Sequence, residues 1–158
     1  MLKPILLVED DLKDIELTLY ALEQARLANQ VVILRDGAEA LDYLYRRHDF
    51  AERTPGNPSV VLLDLKLPKI DGLRVLQAIR SDEQLQNIPV TMLSASNEEQ
   101  DVNSAYELGV NSYVVKPQNF HQFVNAVTEL GVFWAVLNEP PPGSSRPAFS
   151  EKHRFMPD

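Results

Sequence analysis

Val60-Val61-Leu62-Leu63-Asp64-Leu65-Lys66-Leu67-Pro68-Lys69-Ile70-Asp71-Gly72 decides how this chain folds. The four apolar residues read as a strand buried on both faces, and Asp64 closes them with a carboxylate where the strand emerges into solvent. Leu67-Pro68 and Asp71-Gly72 then break the strand and open a helix. Working outward, three more short apolar runs end in chemically useful residues. Ile5-Leu6-Leu7-Val8 ends in Glu9-Asp10-Asp11, Val90-Thr91-Met92-Leu93 in Ser94, and Tyr113-Val114-Val115 in Lys116-Pro117. With Val31-Val32-Ile33-Leu34 there are five strands, each followed by a segment of helical period. That alternation predicts an α/β fold with a doubly wound, five-stranded parallel sheet. Parallel strands bring the chemically useful ends to one edge.

The helical segments differ in how much they bury. Leu12, Ile15, Leu19 and Leu22 form one stripe of a first helix running to about Asn29. Asp36 and Glu39 mark the start of a second over about 38–47, with Ala38, Leu41 and Tyr45 on its core face. Val75, Leu76 and Ile79 anchor the third. Ser96 and Glu99 read as the capping box of a fourth, which ends near Gly109 and has only Val102, Ala105, Tyr106 and Leu108 to hold it. The fifth, from about Asn119 to Leu137, is richly apolar. Phe120, Phe123, Val124, Val127, Leu130 and Trp134 make its stripe, and Phe133 and Leu137 widen that stripe beyond one core contact. Residues 48–58 read as a loop away from the acidic edge.

Size and composition narrow the function. The 158 residues suit one domain with its own core, and without cysteine the chain has neither disulfides nor thiolate metal sites. A formal charge of −8 argues against general affinity for nucleic-acid phosphates. No apolar stretch reaches the roughly 20 residues that span a bilayer, and the N-terminus lacks a signal-peptide core, so cytoplasmic residence is expected. From Glu139 the composition shifts to Pro140-Pro141-Pro142-Gly143, an extended linker before a polar tail carrying Phe149, Phe155 and Met156. The expected organisation is a domain over 1–138 and a linker with tail over 139–158.

In a sheet ordered 2-1-3-4-5, the first and third strands are neighbours at the point where strand order reverses, and ligands bind outside such an edge. Glu9, Asp10 and Asp64 then converge into an oxygen-rich anionic pocket suited to a hard divalent ion such as Mg2+. Ser94 offers a hydroxyl and Lys116 an ammonium on the far side of Asp64. Ion, hydroxyl and ammonium together would stabilise phosphoryl oxygens, which makes Asp64 a candidate nucleophile forming an acyl phosphate. Taken singly, each residue is ordinary: a turn acid, a helix cap, a surface lysine. Four compatible residues at four strand ends are harder to assign to independent accidents.

These motifs, Val-Glu-Asp-Asp, Leu-Leu-Asp-Leu-Lys-Leu-Pro-Lys-Ile-Asp-Gly, Leu-Ser-Ala-Ser and Tyr-Val-Val-Lys-Pro, resemble the receiver domain of two-component response regulators over residues 3 to 138. The resemblance implies a flavodoxin-like fold and gives Glu9 and Asp10 as the Mg2+ pair and Asp64 as phosphoacceptor. The Lys66 backbone carbonyl would complete the metal site. Ser94 and Lys116 match the phosphate-sensing residues, and Tyr113 the aromatic switch that turns inward with Ser94. It also implies a cis Lys116-Pro117 bond. Lys66 and Ser96 match the positions that tune hydrolysis of the acyl phosphate, and Lys66 is expected to pair with the acids when metal is absent.

With no output domain after the linker, the chain resembles a stand-alone receiver that signals by protein contact and assists its own phosphorylation and dephosphorylation rather than acting as an enzyme. Its Leu-Ser-Ala-Ser-Asn-Glu-Glu-Gln segment, Gly-Val-Asn-Ser-Tyr and Phe133-Trp134 resemble the small regulators paired with bacterial phytochrome histidine kinases. The histidine kinase is then the expected phosphoryl donor. Excess apolar surface on the last helix suggests a homodimer through the fourth helix, fifth strand and fifth helix, with the tail reaching across. Three other readings compete. An aspartate-nucleophile phosphohydrolase usually carries a second acid two residues on, where this chain has Lys66. A flavin carrier would meet an acidic first loop that repels its phosphate. A pseudo-receiver would bind partners without forming the acyl phosphate.

Overall fold

The computed structural model describes residues 2–139. The linker and tail expected beyond Glu139, with Phe149, Phe155 and Met156, lie outside the described residues. The chain alternates β1 (Ile5–Val8), α1 (Leu12–Gln24), β2 (Val31–Leu34), α2 (Gly37–Tyr45), β3 (Val60–Leu63), α3 (Gly72–Ser81), β4 (Val90–Ser94), α4 (Glu99–Glu107), β5 (Ser112–Val115) and α5 (Phe120–Val132). All strands are parallel, in the order β2-β1-β3-β4-β5. The doubly wound sheet expected from the five apolar runs is therefore present.

Alternation of side chains along each strand divides the core in two. Leu6, Val8, Val61, Leu63 and Met92 face α2, α3 and α4 on one side of the sheet. Ile5, Leu7, Val60, Leu62 and Leu93 face α1 and α5 on the other. Strands packed on both faces have no solvated side to encode, which is why they read as unbroken apolar runs. On the second side α1 and α5 approach closely at Gly131, where an added Cβ would lie 2.6 Å from Leu22 Cδ2.

The register sets the functional edge. Val8 pairs with both Leu34 and Leu63, Leu63 with Met92, and Ser94 with Val115, so β1, β2 and β3 end level while β4 and β5 run two residues further at the same edge. The hydrogen-bond ladder then runs one residue further. Glu9 N–H donates to the Leu34 carbonyl (3.0 Å), Asp64 N–H to that of Val8 (3.1 Å) and Lys116 N–H to that of Ser94 (2.8 Å). Three of the candidate site residues thus have their backbones held by the sheet itself.

Helix ends and faces depart from the expectations in several places. α1 stops at Gln24 rather than near Asn29, because Arg26 turns into the left-handed region (φ 55°). Leu12 and Phe120, expected in core stripes, are exposed; Phe120 instead packs beside Tyr20, with ring centroids 6.0 Å apart. On α2, Tyr43 is buried and Tyr45 exposed, the reverse of the expected phase. Tyr43 is covered by Phe50 in edge contact at 5.2 Å and by the Arg53 guanidinium at 4.1 Å, both from residues 48–58. That segment includes a short 3-10 turn, His48–Phe50, and leads to Ser59, whose N–H bonds to the Pro4 carbonyl at the opposite end of the strands from Asp64. α5 ends its regular course at Val132 and continues as a π-type turn over Phe133–Leu137.

Candidate functional site

At the edge where β1, β3, β4 and β5 end, an open cavity of about 950 Å³ is lined by Glu9, Asp10, Asp64, Lys66, Ser94, Ser96 and Lys116 among others. Every site residue named from sequence thus lines it except Tyr113. Carboxylate oxygens of Glu9, Asp10 and Asp64 lie within 4.8 Å of one another. Glu9 is buried and held by its own turn, its Oε2 accepting from the N–H groups of Asp10 (3.1 Å) and Asp11 (3.2 Å). Asp64 Oδ1 accepts from the Leu65 N–H at 2.8 Å. The following loop is pressed onto this carboxylate's backbone by Gly72. Its N–H bonds to the Leu65 carbonyl at 2.8 Å, and a Cβ there would lie 2.2 Å from the Asp64 carbonyl oxygen.

Lys116 crosses the pocket from β5. Its Nζ donates to Glu9 Oε1 at 2.6 Å and to Asp14 Oδ2 at 2.7 Å, with a longer contact to Asp64 Oδ2 at 3.5 Å. Its side chain is only 9 % exposed. Burial works against the ammonium, but its hydrogen bonds to Asp14 and Glu9 and the charges of Asp64 and Glu9 outweigh it and raise its pKa above the ordinary lysine value. Burial and the nearby Asp64 charge push the Glu9 carboxyl up to about 7, against the opposing pull of Lys116. The described residues contain no cis peptide bond, so Lys116-Pro117 is trans, contrary to what the resemblance implies. The ammonium reaches inward all the same, because the Lys116 N–H is fixed on Ser94 and three carboxylates draw its far end.

Ser96 does not form the expected capping box with Glu99. Its Oγ donates to Asp101 Oδ2 at 2.6 Å and accepts from the Glu98 N–H at 3.3 Å, and Glu98 rather than Ser96 stands at the N-cap of α4. Ser94 Oγ accepts from the Ser96 N–H at 3.2 Å, and Tyr113 donates its hydroxyl to the Ser96 carbonyl at 2.9 Å. Hydroxyl, loop and aromatic are therefore linked through Ser96. Ala105 is the single fully buried residue of α4, in keeping with its poor apolar content.

Two corrections concern charge. Lys66, expected to pair with the acids, is exposed and forms no ion pair among the described residues; Lys116 takes that place because it approaches from within the sheet. Asp14 and Arg35 went unnoticed in the sequence. Arg35 donates to the Asp10 carbonyl at 3.1 Å, and Asp14 lies 102 residues from its lysine partner, so no local pattern announces either contact.

A flavodoxin-like sheet with acids, hydroxyl and ammonium gathered at its switch point is the architecture of a receiver. The chain belongs to the response regulator receiver domain family, whose description matches residues 5–128. Among curated relatives it is 42 % identical to the probable methanogenesis regulatory protein FilR2 of Methanothrix harundinacea, covering 87 % of this chain and 86 % of that one. It is 39 % identical to the response regulator Rcp1 of Synechocystis, covering 84 % and 88 %. The solved bacteriophytochrome response regulator RtBRR is 67 % identical, with a TM-score of 0.73 over 91 % of this chain and 87 % of that one. The Mn2+-bound form of Rcp1 superposes with a TM-score of 0.81 at 38 % identity over 88 % and 99 %. The phosphorylated cyanobacterial phytochrome response regulator RcpA gives 0.83 at 40 % over 89 % and 99 %.

Proposed function

We propose that this protein accepts a phosphoryl group on Asp64 from a phosphohistidine of a phytochrome-type histidine kinase and signals by protein contact. The observation that carries this reading is the convergence of Glu9, Asp10 and Asp64 within 4.8 Å, beside Lys116 and in one pocket with Ser94. The kinase assignment is supported by the similarity to RtBRR, RcpA and Rcp1, two of which are described as phytochrome or bacteriophytochrome regulators.

Leu65 N–H holds Asp64 Oδ1, which leaves Oδ2 as the oxygen not committed to the backbone. An Asp64 oxygen attacks phosphorus, the P–N bond to the donor histidine breaks as the P–O bond forms, and the leaving imidazole takes a proton from water. Lys116 and Ser94 donate to the phosphoryl oxygens and neutralise charge as it is transferred. Three hard carboxylate donors fit a divalent cation, Mg2+ by their chemistry, with Glu9, Asp10, Asp64 and the Lys66 carbonyl as the residues that would hold it. When bound, such an ion supplies further neutralisation of phosphoryl charge. Hydrolysis returns the carboxylate: water attacks phosphorus, the P–O bond to Asp64 breaks, and inorganic phosphate leaves. The protein is thus a phosphoacceptor that assists its own turnover rather than an enzyme acting on a separate substrate.

Donation by Ser94 to a phosphoryl oxygen reorients the hydroxyl that now accepts from Ser96 N–H, and through Ser96 biases Tyr113 and α4 between two arrangements. The surface so altered comprises α4, β5 and α5. It is also where a second copy docks in this reading: Val115, Phe133, Val136 and Leu137 are exposed apolar side chains there, Leu137 at 67 %. The protein works in the cytoplasm and binds neither nucleic acid nor membrane; no helix among the described residues is long and apolar enough to cross a membrane.

Incubation with acetyl phosphate and Mg2+, followed by phosphate-affinity electrophoresis, tests the central step. A retarded band in the native protein, absent in a folded Asp64→Asn variant, is expected. An unretarded native protein marks a pseudo-receiver and ends the proposal.

A further inference from the structure

The strongest contact at the pocket without a part in the proposed chemistry joins Asp14 to Lys116. At 2.7 Å it matches the bond to Glu9 and is far shorter than the 3.5 Å approach to Asp64. An ammonium has three N–H donors, so these three carboxylates account for all of them. Asp14 is not loosely placed. It stands in the first turn of α1, where a carboxylate is favoured by the helix end, and its N–H is held by Asp11 Oδ1 at 3.0 Å. With a side chain 25 % exposed against 9 % for Lys116, it marks the solvent side of the ammonium's cage.

A divalent cation held by Glu9, Asp10 and Asp64 would draw on two of the carboxylates that also receive the Lys116 ammonium. An ammonium that gave up both with no other partner would be a lone charge in a largely buried setting, which is strongly unfavourable. Asp14 lies outside the group of three carboxylates that meet within 4.8 Å, so it is able to keep the lysine while those oxygens are given to the ion. We propose that Asp14 is a positioning residue, the counter-ion that retains Lys116 on the α1 side of the pocket and so keeps Glu9 and Asp64 available to a divalent cation. This role rests on the metal reading given above and adds a residue that reading does not use. Without Asp14 the ammonium settles fully on Glu9 and Asp64 and competes with the ion.

Calorimetric titration with Mn2+ of the native protein, Asp14→Asn, Lys116→Met and the double variant tests it. In the native background, Asp14→Asn should weaken Mn2+ binding by about three- to ten-fold, and in the Lys116→Met background by less than about two-fold. Equal losses in both backgrounds would mean that Asp14 acts only as a distant charge, and no loss in the native background would remove its role altogether. A second measurement reads the lysine itself. The 15N resonance of the Lys116 ammonium should shift, and its protons exchange faster, in Asp14→Asn, with Asp14→Glu restoring part of the native signal. Mn2+ binding with an unmoved ammonium resonance overturns the positioning role alone. Absence of Mn2+ binding by the native chain overturns the metal reading and this role with it.

Discussion

The Tyr113 hydroxyl donates to the carbonyl of Ser96 across 2.9 Å, tying β5 to the loop that follows β4. Because Ser96 N–H in turn donates to Ser94 Oγ at 3.2 Å, the aromatic ring stands two hydrogen bonds from a hydroxyl that lines the pocket with Asp64. The half-buried ring also packs against the core on the α2–α3 side of the sheet, so its position is set by packing as well as by that bond.

Tyr113→Phe separates the two contributions. It keeps the packed ring and removes the donor, which should lower stability by about 0.5–1.5 kcal/mol in urea denaturation. Hydrogen exchange should quicken at the amides of 95–98 while those of β1 and β3 stay protected. Protection unchanged in that loop would show that the hydroxyl holds nothing.

Glu9 makes the pH dependence specific. Its carboxyl titrates near 4.5 in the unfolded chain and is raised by burial to about 7 in the folded one. Between those values the native state binds more protons, so the Glu9 contribution to stability is fully present below about 4.5 and is lost as pH rises through about 7. Glu9→Gln should flatten that segment of the stability profile measured by urea titration at successive pH values. A proton on Glu9 also opposes cation binding, so Mn2+ affinity should fall as pH is lowered from 8 to 6, with proton release on binding detected by calorimetry in two buffers.

Lys66 lies beside the acids in sequence and lines the same pocket, but it is exposed and forms no ion pair with them among the described residues. Lys66→Ala should change Mn2+ affinity by less than about two-fold, as expected of an exposed charge in high dielectric. Lys116→Met removes the ammonium bonded to Glu9 and should raise that affinity several-fold. The opposite ranking in parallel titrations would restore Lys66 as the competing cation.

Gly72 governs the backbone under Asp64. A methyl group there meets the Asp64 carbonyl oxygen at 2.2 Å and Leu65 Cα at 2.9 Å, backbone atoms that cannot swing aside. Gly72→Ala should cost about 2–4 kcal/mol in urea denaturation. It should also weaken Mn2+ binding and acetyl-phosphate labelling together, since α3 can be accommodated only by moving the carboxylate.

Much of this architecture was legible because a strand buried on both faces is mostly apolar, so its end shows where charged or hydroxyl residues begin; Thr91, buried within β4 and bonded to Ser112, is the exception. Glu9, Asp64, Ser94 and Lys116 were legible for that reason, and parallel pairing brings their strand ends to one edge of the sheet. Asp36 was legible as a cap because its carboxylate acts locally, accepting the Glu39 N–H at 2.7 Å. Local patterns failed where packing partners come from elsewhere. Tyr43 rather than Tyr45 is buried because Phe50 and Arg53 fold back over it, and Phe120 leaves the core to meet Tyr20.

What sequence determined by itself was the sheet, its order and the group of residues at its edge, since burial of alternating elements leaves few ways to arrange them. Tertiary structure alone decided which charges neutralise one another. Lys66 is two residues from Asp64 and pairs with no acid among the described residues, while Lys116 crosses from another strand to Glu9 and to Asp14. Coulomb attraction and hydrogen bonding depend on distance and burial, and only the folded chain sets those for groups about a hundred residues apart.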